Sequence, residues 1–403
     1  MNVAEINTVN YGSTGKIMLG IQKVAKDKDI NVFTFYALGN CNADDPSSIR
    51  VGHPFFNKIS SKLAHITGLM GFFSPFSTMK LISQLKKYKI DIIHLHNIHV
   101  SFLNYAMLFR FIKTNDIKVV WTLHDCWSFT GHCPHFSYPK CDKWKTQCFE
   151  CPRYREYPIS SIDNSRYMFF LKKRMFSGIK NMTIVTPSNW LKQLVKESFL
   201  SEYPVQVINN GIDISHFYPL SSNFREKYSI GNKFMVLGVA FDWSDKKGLD
   251  VFVELSRRLN NHEYQFVLVG TDANIDKVLP REFISIHKTE SIEDLAQIYS
   301  SADVLLNPTR EEVLGLVNIE ANACGTPVLM FNTGGSPECI SEKSGYVVNV
   351  DDIDTMEMKI KELAKSNIFK SEDCIRQAQK FDMNLKYNEY ISLYEKLFFA
   401  KQD

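Results

Sequence analysis

No run of about 18 apolar residues occurs in this chain, so no segment is expected to span a bilayer. The opening Met1-Asn2-Val3-Ala4-Glu5 carries an acid and no long apolar core, so no secretion signal is expected. Charge of one sign is hardly in excess. The net charge is +3, too small to imply a nucleic-acid partner. The glycine loop after the first strand lacks the third glycine of a dinucleotide fingerprint. Nine cysteines is an odd count, and without a secretion signal it favours a reducing cytoplasm with thiols free or metal-bound. What remains is a chain of 403 residues, 44% hydrophobic and 23% charged, long enough for two domains with substantial cores.

The most informative stretch runs from Asp303 to Glu338. An apolar run from Asp303 to Asn307, closed by Pro308, reads as a buried strand. A polar loop, Thr309 to Val313, leads to Leu316, Ile319 and Ala323 at helical spacing, and Gly325 with Pro327 ends that helix. Val328 to Phe331 returns as a strand, so the unit belongs to a parallel sheet. Such a unit aims the free N–H groups of a helix start at whatever lies beyond the strand, where phosphates bind. Gly315 permits a close approach of backbone to a phosphate. Glu312 lies in the loop and Glu320 inside the helix. Read without context, the same residues make an ordinary helix with two exposed acids.

The N-terminal half repeats the theme. Val3 to Ile6 reads as a strand, followed by Tyr11-Gly12-Ser13-Thr14-Gly15 and a helix from about Lys16 to Ala25. Gly12 and Gly15 form either a tight turn or a ligand-approach loop. The stretch from Phe55 to Lys89 mixes basic and aromatic residues, which suits either contact with a membrane surface or a solvated helical face. Ile90 to His99 places His94, His96 and His99 at the end of a central strand, where open α/β sheets bind ligands. Hydrogen bonding fits these three better than metal ligation, because on a strand only His94 and His96 point the same way. Val119 to Asp125 again ends a strand in His124 and Asp125, expected to line a cleft. Cys133, Cys141, Cys148 and Cys151 follow. Structural zinc, unliganded thiols in an ordered loop, or a redox disulfide would each account for them, with Trp144 packed on the loop. In the C-terminal half, Lys246-Lys247-Gly248 opens a helix after the strand Phe234–Val239, a position suited to a diphosphate or an exposed lysine pair.

The spacing Glu312-x7-Glu320, with Gly315 between and Gly325-Thr326-Pro327-Val328 behind, resembles the donor-site motif of family-4 glycosyltransferases. The stretch from Thr122-Leu123-His124-Asp125-Cys126-Trp127 to Cys151-Pro152 resembles a cysteine-bearing subgroup of bacterial colanic-acid and exopolysaccharide enzymes. The resemblance implies the GT-B fold: two Rossmann-like α/β domains facing each other across a cleft, with a C-terminal helix crossing back. It implies domains at 1–222, carrying the cysteine loop 126–152, and at 223–380, then a terminal helix at 381–403. It implies retaining transfer from a nucleotide diphosphate sugar (UDP- or GDP-sugar) to a lipid-linked saccharide acceptor, in capsule, O-antigen or exopolysaccharide synthesis.

By the same resemblance Glu312, His124 and Asp125 are the catalytic candidates. Gly12, Gly15, Lys246, Lys247, Glu320 and the backbone of Leu314, Gly315 and Leu316 are donor-binding candidates. The family's usual diphosphate-binding Arg position is held here by Val239 and Ala240. No Asp-x-Asp motif is assigned to a strand end, so no metal is expected in catalysis, and zinc enters only through Cys133, Cys141, Cys148 and Cys151. The expected location is the cytoplasm, at the inner face of the cell membrane. A nucleotide-sugar 2-epimerase of the same fold, or a non-catalytic zinc-stabilised saccharide-binding module, would share much of this pattern.

Overall fold

The computed structural model describes residues 1–39, 45–99 and 101–400. Of the nine cysteines, Cys41 lies outside the described residues. The chain divides into two compact units, Met1–Asn209 with Lys386–Asp403, and Asn210–Leu385.

The first unit holds a seven-stranded sheet with every pairing parallel. Its strands are β1 (Asn2–Val9), β2 (Asn31–Leu38), β3 (Ser48–Arg50), β4 (Ile92–Leu95), β5 (Lys118–Thr122), β6 (Met182–Thr186) and β7 (Val205–Val207). The order is β3-β2-β1-β4-β5-β6-β7, so the chain reverses its direction of winding between β1 and β4. Loops on either side of such a reversal part and leave room for a ligand beyond the strand ends. The central strands β4, β5 and β6 are almost wholly buried, as near-continuous apolar runs covered on both faces must be.

The second unit repeats the plan with β8 (Phe234–Val239), β9 (Tyr264–Val269), β10 (Ile284–Ile286), β11 (Val304–Asn307), β12 (Val328–Phe331) and β13 (Gly345–Val348). Their order is β10-β9-β8-β11-β12-β13, again all parallel, with the reversal between β8 and β11. Alternate residues of each strand enter different cores. Met235, Leu237, Val267, Leu305 and Met330 pack on one side, and Val236, Leu268, Val304, Leu306 and Leu329 on the other.

Two expectations are corrected. The helix expected from about Lys16 begins at Gly12, so the glycines occupy its first turn. Residues 210–222, expected with the first domain, belong to the second unit. Ile212 bridges Asp382 and exchanges backbone hydrogen bonds with Phe381 and Met383, while Phe217 is buried in the second unit's core. Just beyond this bound the chain is held by side-chain contacts. Arg225 donates to the carbonyls of Ser301 and Lys233 and pairs with Asp303 at 2.5 Å. The terminal helix, Met383–Phe399, buries Tyr387, Tyr390, Ile391, Leu393 and Tyr394, and from Lys386 onward it belongs to the first unit.

Candidate functional site

In the second unit the loops after β8 and β11 flank the reversal point, which is why residues 65 apart in sequence meet. Lys247 ends a short 3-10 turn, Asp245–Lys247, and its Nζ lies 3.0 Å from Glu312 Oε2. Both side chains are part-exposed, at 35% and 25%, so the pair faces open space and can exchange partners with a ligand. Glu312 Oε1 accepts the N–H of Val313 at 3.1 Å, which fixes the carboxylate against its own loop.

Gly315 caps the helix Leu316–Ala323 with φ +87°, a left-handed conformation that favours glycine. Gly334, after β12, is held as tightly, because a Cβ there would lie 1.7 Å from the Glu312 carbonyl oxygen. The helix start at Leu314, Gly315 and Leu316 is therefore shaped by two glycines, and its free N–H groups carry the positive end of the helix dipole. Glu320, deeper in the same helix, accepts the Tyr299 hydroxyl at 2.9 Å.

Lys246 and Lys247 do not open an α-helix, contrary to expectation. Gly248 at φ +76° separates their turn from the helix Leu249–Arg258, where a Cβ would strike Pro308. The two loops are instead joined by Arg310, a residue with no expected role. Its backbone N–H donates to the Lys246 carbonyl at 2.8 Å. Its guanidinium makes a bidentate pair with Asp250, 2.8 Å at each oxygen, and reaches Asp351 at 2.7 Å and the Asp245 carbonyl. Burial pulls the Asp250 carboxyl up, but the Arg310 hydrogen bonds and charge outweigh it and hold the group below its ordinary value. The hydroxyls of Thr333 and Ser336, beside the same helix start, are buried without a hydrogen-bond partner among the described residues. No periodicity signals either residue; only the folded loop reveals them.

In the first unit His124 and Asp125 follow β5 and are partly buried. His124 Nε2 lies 3.1 Å from His96 Nδ1 with the two rings stacked. Burial first, and neighbouring histidines second, push His124 down to about 3, so it is neutral at physiological pH. Asp125 accepts the Trp127 N–H at 2.8 Å and meets His99 Nε2 at 3.1 Å. Burial raises this carboxyl, yet the His99 charge and the hydrogen bonds win and hold it low. Gly12 has φ +65° and open space where a Cβ would sit. Gly15 is buried, and the close approach it permits is to the chain's own Asn10, whose carbonyl carbon lies 2.5 Å from the Cβ position.

The four cysteines line one small cavity of about 20 Å³ with His132 and Trp144. Cys148 Sγ accepts the Gly131 N–H at 3.2 Å. Packing and hydrogen bonds hold the loop. Trp144 stacks on Phe136 with centroids 4.7 Å apart, and the buried Lys172 donates to the carbonyls of Trp127 and Thr130.

Two Rossmann-like units with parallel sheets of this topology are those of the GT-B fold. Residues 63–216 match the family described as Glycosyltransferase Family 4, and residues 222–381 match the family described as Glycosyl transferases group 1. The chain belongs to these glycosyltransferases. It is 24% identical over 327 residues to Escherichia coli (strain K12) WcaC, whose name assigns it provisionally to colanic acid biosynthesis as a glycosyl transferase. That match covers 76% of each chain. Among solved structures the chain is similar to the sucrose-phosphate synthase of Thermosynechococcus elongatus, with a TM-score of 0.72 at 17% identity over the whole of both chains. It is also similar to HepE of Anabaena, solved with UDP, with a TM-score of 0.64 at 15% identity over 98% of this chain and 100% of that one.

Proposed function

We propose that this glycosyltransferase moves a sugar, with retention of anomeric configuration, from a nucleotide diphosphate sugar to a lipid-linked saccharide during bacterial surface polysaccharide synthesis. The observation that carries the reading is the Lys247–Glu312 pair, 3.0 Å apart beside the Gly315-capped helix start. A diphosphate brings the negative charge that such a helix start attracts, and it would draw Lys247 from Glu312. The C1–O bond to the diphosphate breaks, a bond from C1 to the acceptor oxygen forms, and the acceptor's proton passes to the leaving diphosphate. Lys247 and the 314–316 amides stabilise the charge that develops on that leaving group. Glu312 is placed against the donor sugar, with Glu320 reaching the ribose. Neutral His124 and ionised Asp125 suit hydrogen bonding to the sugar and orientation of the acceptor. No divalent metal is assigned to the chemistry. The UDP complex of HepE and the name of WcaC support a nucleotide-sugar donor and a polysaccharide product.

A lipid-linked acceptor places the enzyme at a membrane, and the helix Pro54–Thr67 supports that placement. It buries Asn57, Ser60 and Ala64, while Phe55, Phe56, Ile59, Leu63 and Ile66 are exposed. Lys58 and Lys62 border this apolar stripe, a pattern suited to an anionic lipid surface.

A thermal-shift screen of UDP-, GDP- and dTDP-sugars identifies the donor. Incubation of the stabilising donor with and without a lipid-linked saccharide then tests transfer. Glu312→Ala should keep the fold and lower turnover roughly 100- to 1,000-fold. Full activity in that variant contradicts the reading, and conversion of donor without acceptor would mark a 2-epimerase instead.

A further inference from the structure

Below His124 in the first unit lies a polar cluster that the proposed transfer does not use. Glu5 in β1 and His94 and His96 at the end of β4 are buried to 0%, 0% and 1% exposure. Register explains their meeting. Glu5 pairs directly with His94 across β1 and β4, and His96, two residues on, returns to the same face. Glu5 Oε1 lies 3.3 Å from His94 Nδ1 and 3.9 Å from His96 Nε2. The Tyr394 hydroxyl, from the terminal helix, donates to Glu5 Oε1 at 3.0 Å and touches His94 Nδ1.

Two atoms of this cluster, Glu5 Oε2 and His96 Nε2, have no hydrogen-bond partner among the described residues. Each such buried polar atom costs about 1–3 kcal/mol unless something fills the gap. The spacing indicates what fits. Two donors each about 2.1 Å from one tetrahedral ion stand roughly 3.4 Å apart, close to the 3.3 and 3.9 Å found here.

The outward nitrogens of both histidines are already engaged. Thr122 Oγ1 gives its proton to Tyr390, so the 2.8 Å contact to His94 Nε2 is a donation from the ring, and Nδ1 keeps a lone pair toward Glu5. His96 Nδ1 faces His124 at 3.1 Å, leaving Nε2 toward the same point. Metal-binding histidines are oriented in this way, with the second nitrogen held by an outer partner.

We propose that Glu5, His94 and His96 bind one divalent transition-metal cation of the zinc class. A carboxylate with two imidazoles suits zinc better than calcium or magnesium. All three donors are enclosed, so the ion enters as the unit folds and fastens β1 to β4. The proposal is independent of the transfer reaction, and none of the four clustered cysteines takes part.

The test uses the full chain, purified after growth with zinc chloride and dialysed against metal-free buffer. Elemental analysis should find about one zinc per chain. The ion should be lost in Glu5→Gln and His96→Ala and kept in the Cys133→Ser/Cys151→Ser double variant. Refolding the wild type with cobalt chloride should give visible d–d bands without a thiolate-to-cobalt charge-transfer band, a readout that needs no variant to fold. Wild type without bound metal overturns the proposal and leaves an ordered water or a proton on Glu5 to satisfy the cluster. Metal that survives Glu5→Gln and His96→Ala but leaves with the cysteines, or a thiolate band on cobalt, overturns it equally.

Discussion

Arg310 shows how much one side chain can organise. It joins the turn that presents Lys247 to the loop that presents Glu312, through Asp245, Lys246, Asp250 and Asp351. Arg310→Ala should cost about 2 kcal/mol in denaturant unfolding, since hydrogen bonds to charged groups are worth that much and Asp250 is part-exposed. It should also raise KM for the donor, because the lysine turn loses its anchor, while Arg310→Lys restores little of the forked geometry. Asp250 adds a pH dependence of known sign. Its folded carboxyl titrates below the unfolded value, so its stabilisation is complete above that unfolded value and fades as pH falls through the folded one. Asp250→Asn should therefore flatten the loss of stability below about pH 4, measured as urea midpoints across that range. Glu312, Glu320 and Lys247 could be singled out because each sits in or beside a strand–loop–helix pattern. Arg310 was not, because its partners lie 41 to 65 residues away and nothing local marks them.

Among the elements, the helix start at Gly315 and the helix Pro54–Thr67 differ in how openly the chain announces them. Gly315 could be assigned from sequence because a glycine before a periodic apolar run needs a backbone reason. Its φ of +87° and the 2.8 Å gap from its Cβ position to Asn318 Nδ2 give that reason. Gly315→Ala should lose roughly 1–3 kcal/mol of stability and most donor-induced thermal stabilisation, which one pair of melting scans with and without the donor would measure. The helix Pro54–Thr67 was ambiguous. Its stripe of Phe55, Phe56, Ile59, Leu63 and Ile66 has the spacing of a core-facing surface, and only the folded unit shows that it faces outward. Phe56→Ser/Ile59→Ser should reduce co-sedimentation with anionic vesicles at least tenfold, about 1.4 kcal/mol, without lowering the melting temperature. Equal sedimentation of variant and wild type would remove the helix as the lipid contact.

At the scale of the whole chain, the terminal helix is the costliest part to remove. Tyr387, Tyr390, Ile391, Leu393 and Tyr394 are buried, and at about 1.5–3 kcal/mol for each such side chain their loss approaches the entire stability of a domain. A chain ending at Leu385 should lack the first unit's cooperative unfolding transition while the second unit, Asn210–Leu385, keeps its own, as two-probe calorimetry would separate.

The amino-acid order alone determined the parallel α/β class, the strand–loop–helix unit around Glu312 and Glu320, and the amphipathic last helix, because each rests on periodicity within some thirty residues. Tertiary structure decided the rest. It moved residues 210–222 into the second unit and turned an apolar helical stripe outward. It also brought Glu5 within reach of His94 and His96. These outcomes depend on which strands lie side by side and in what register, and register couples residues that local sequence keeps far apart.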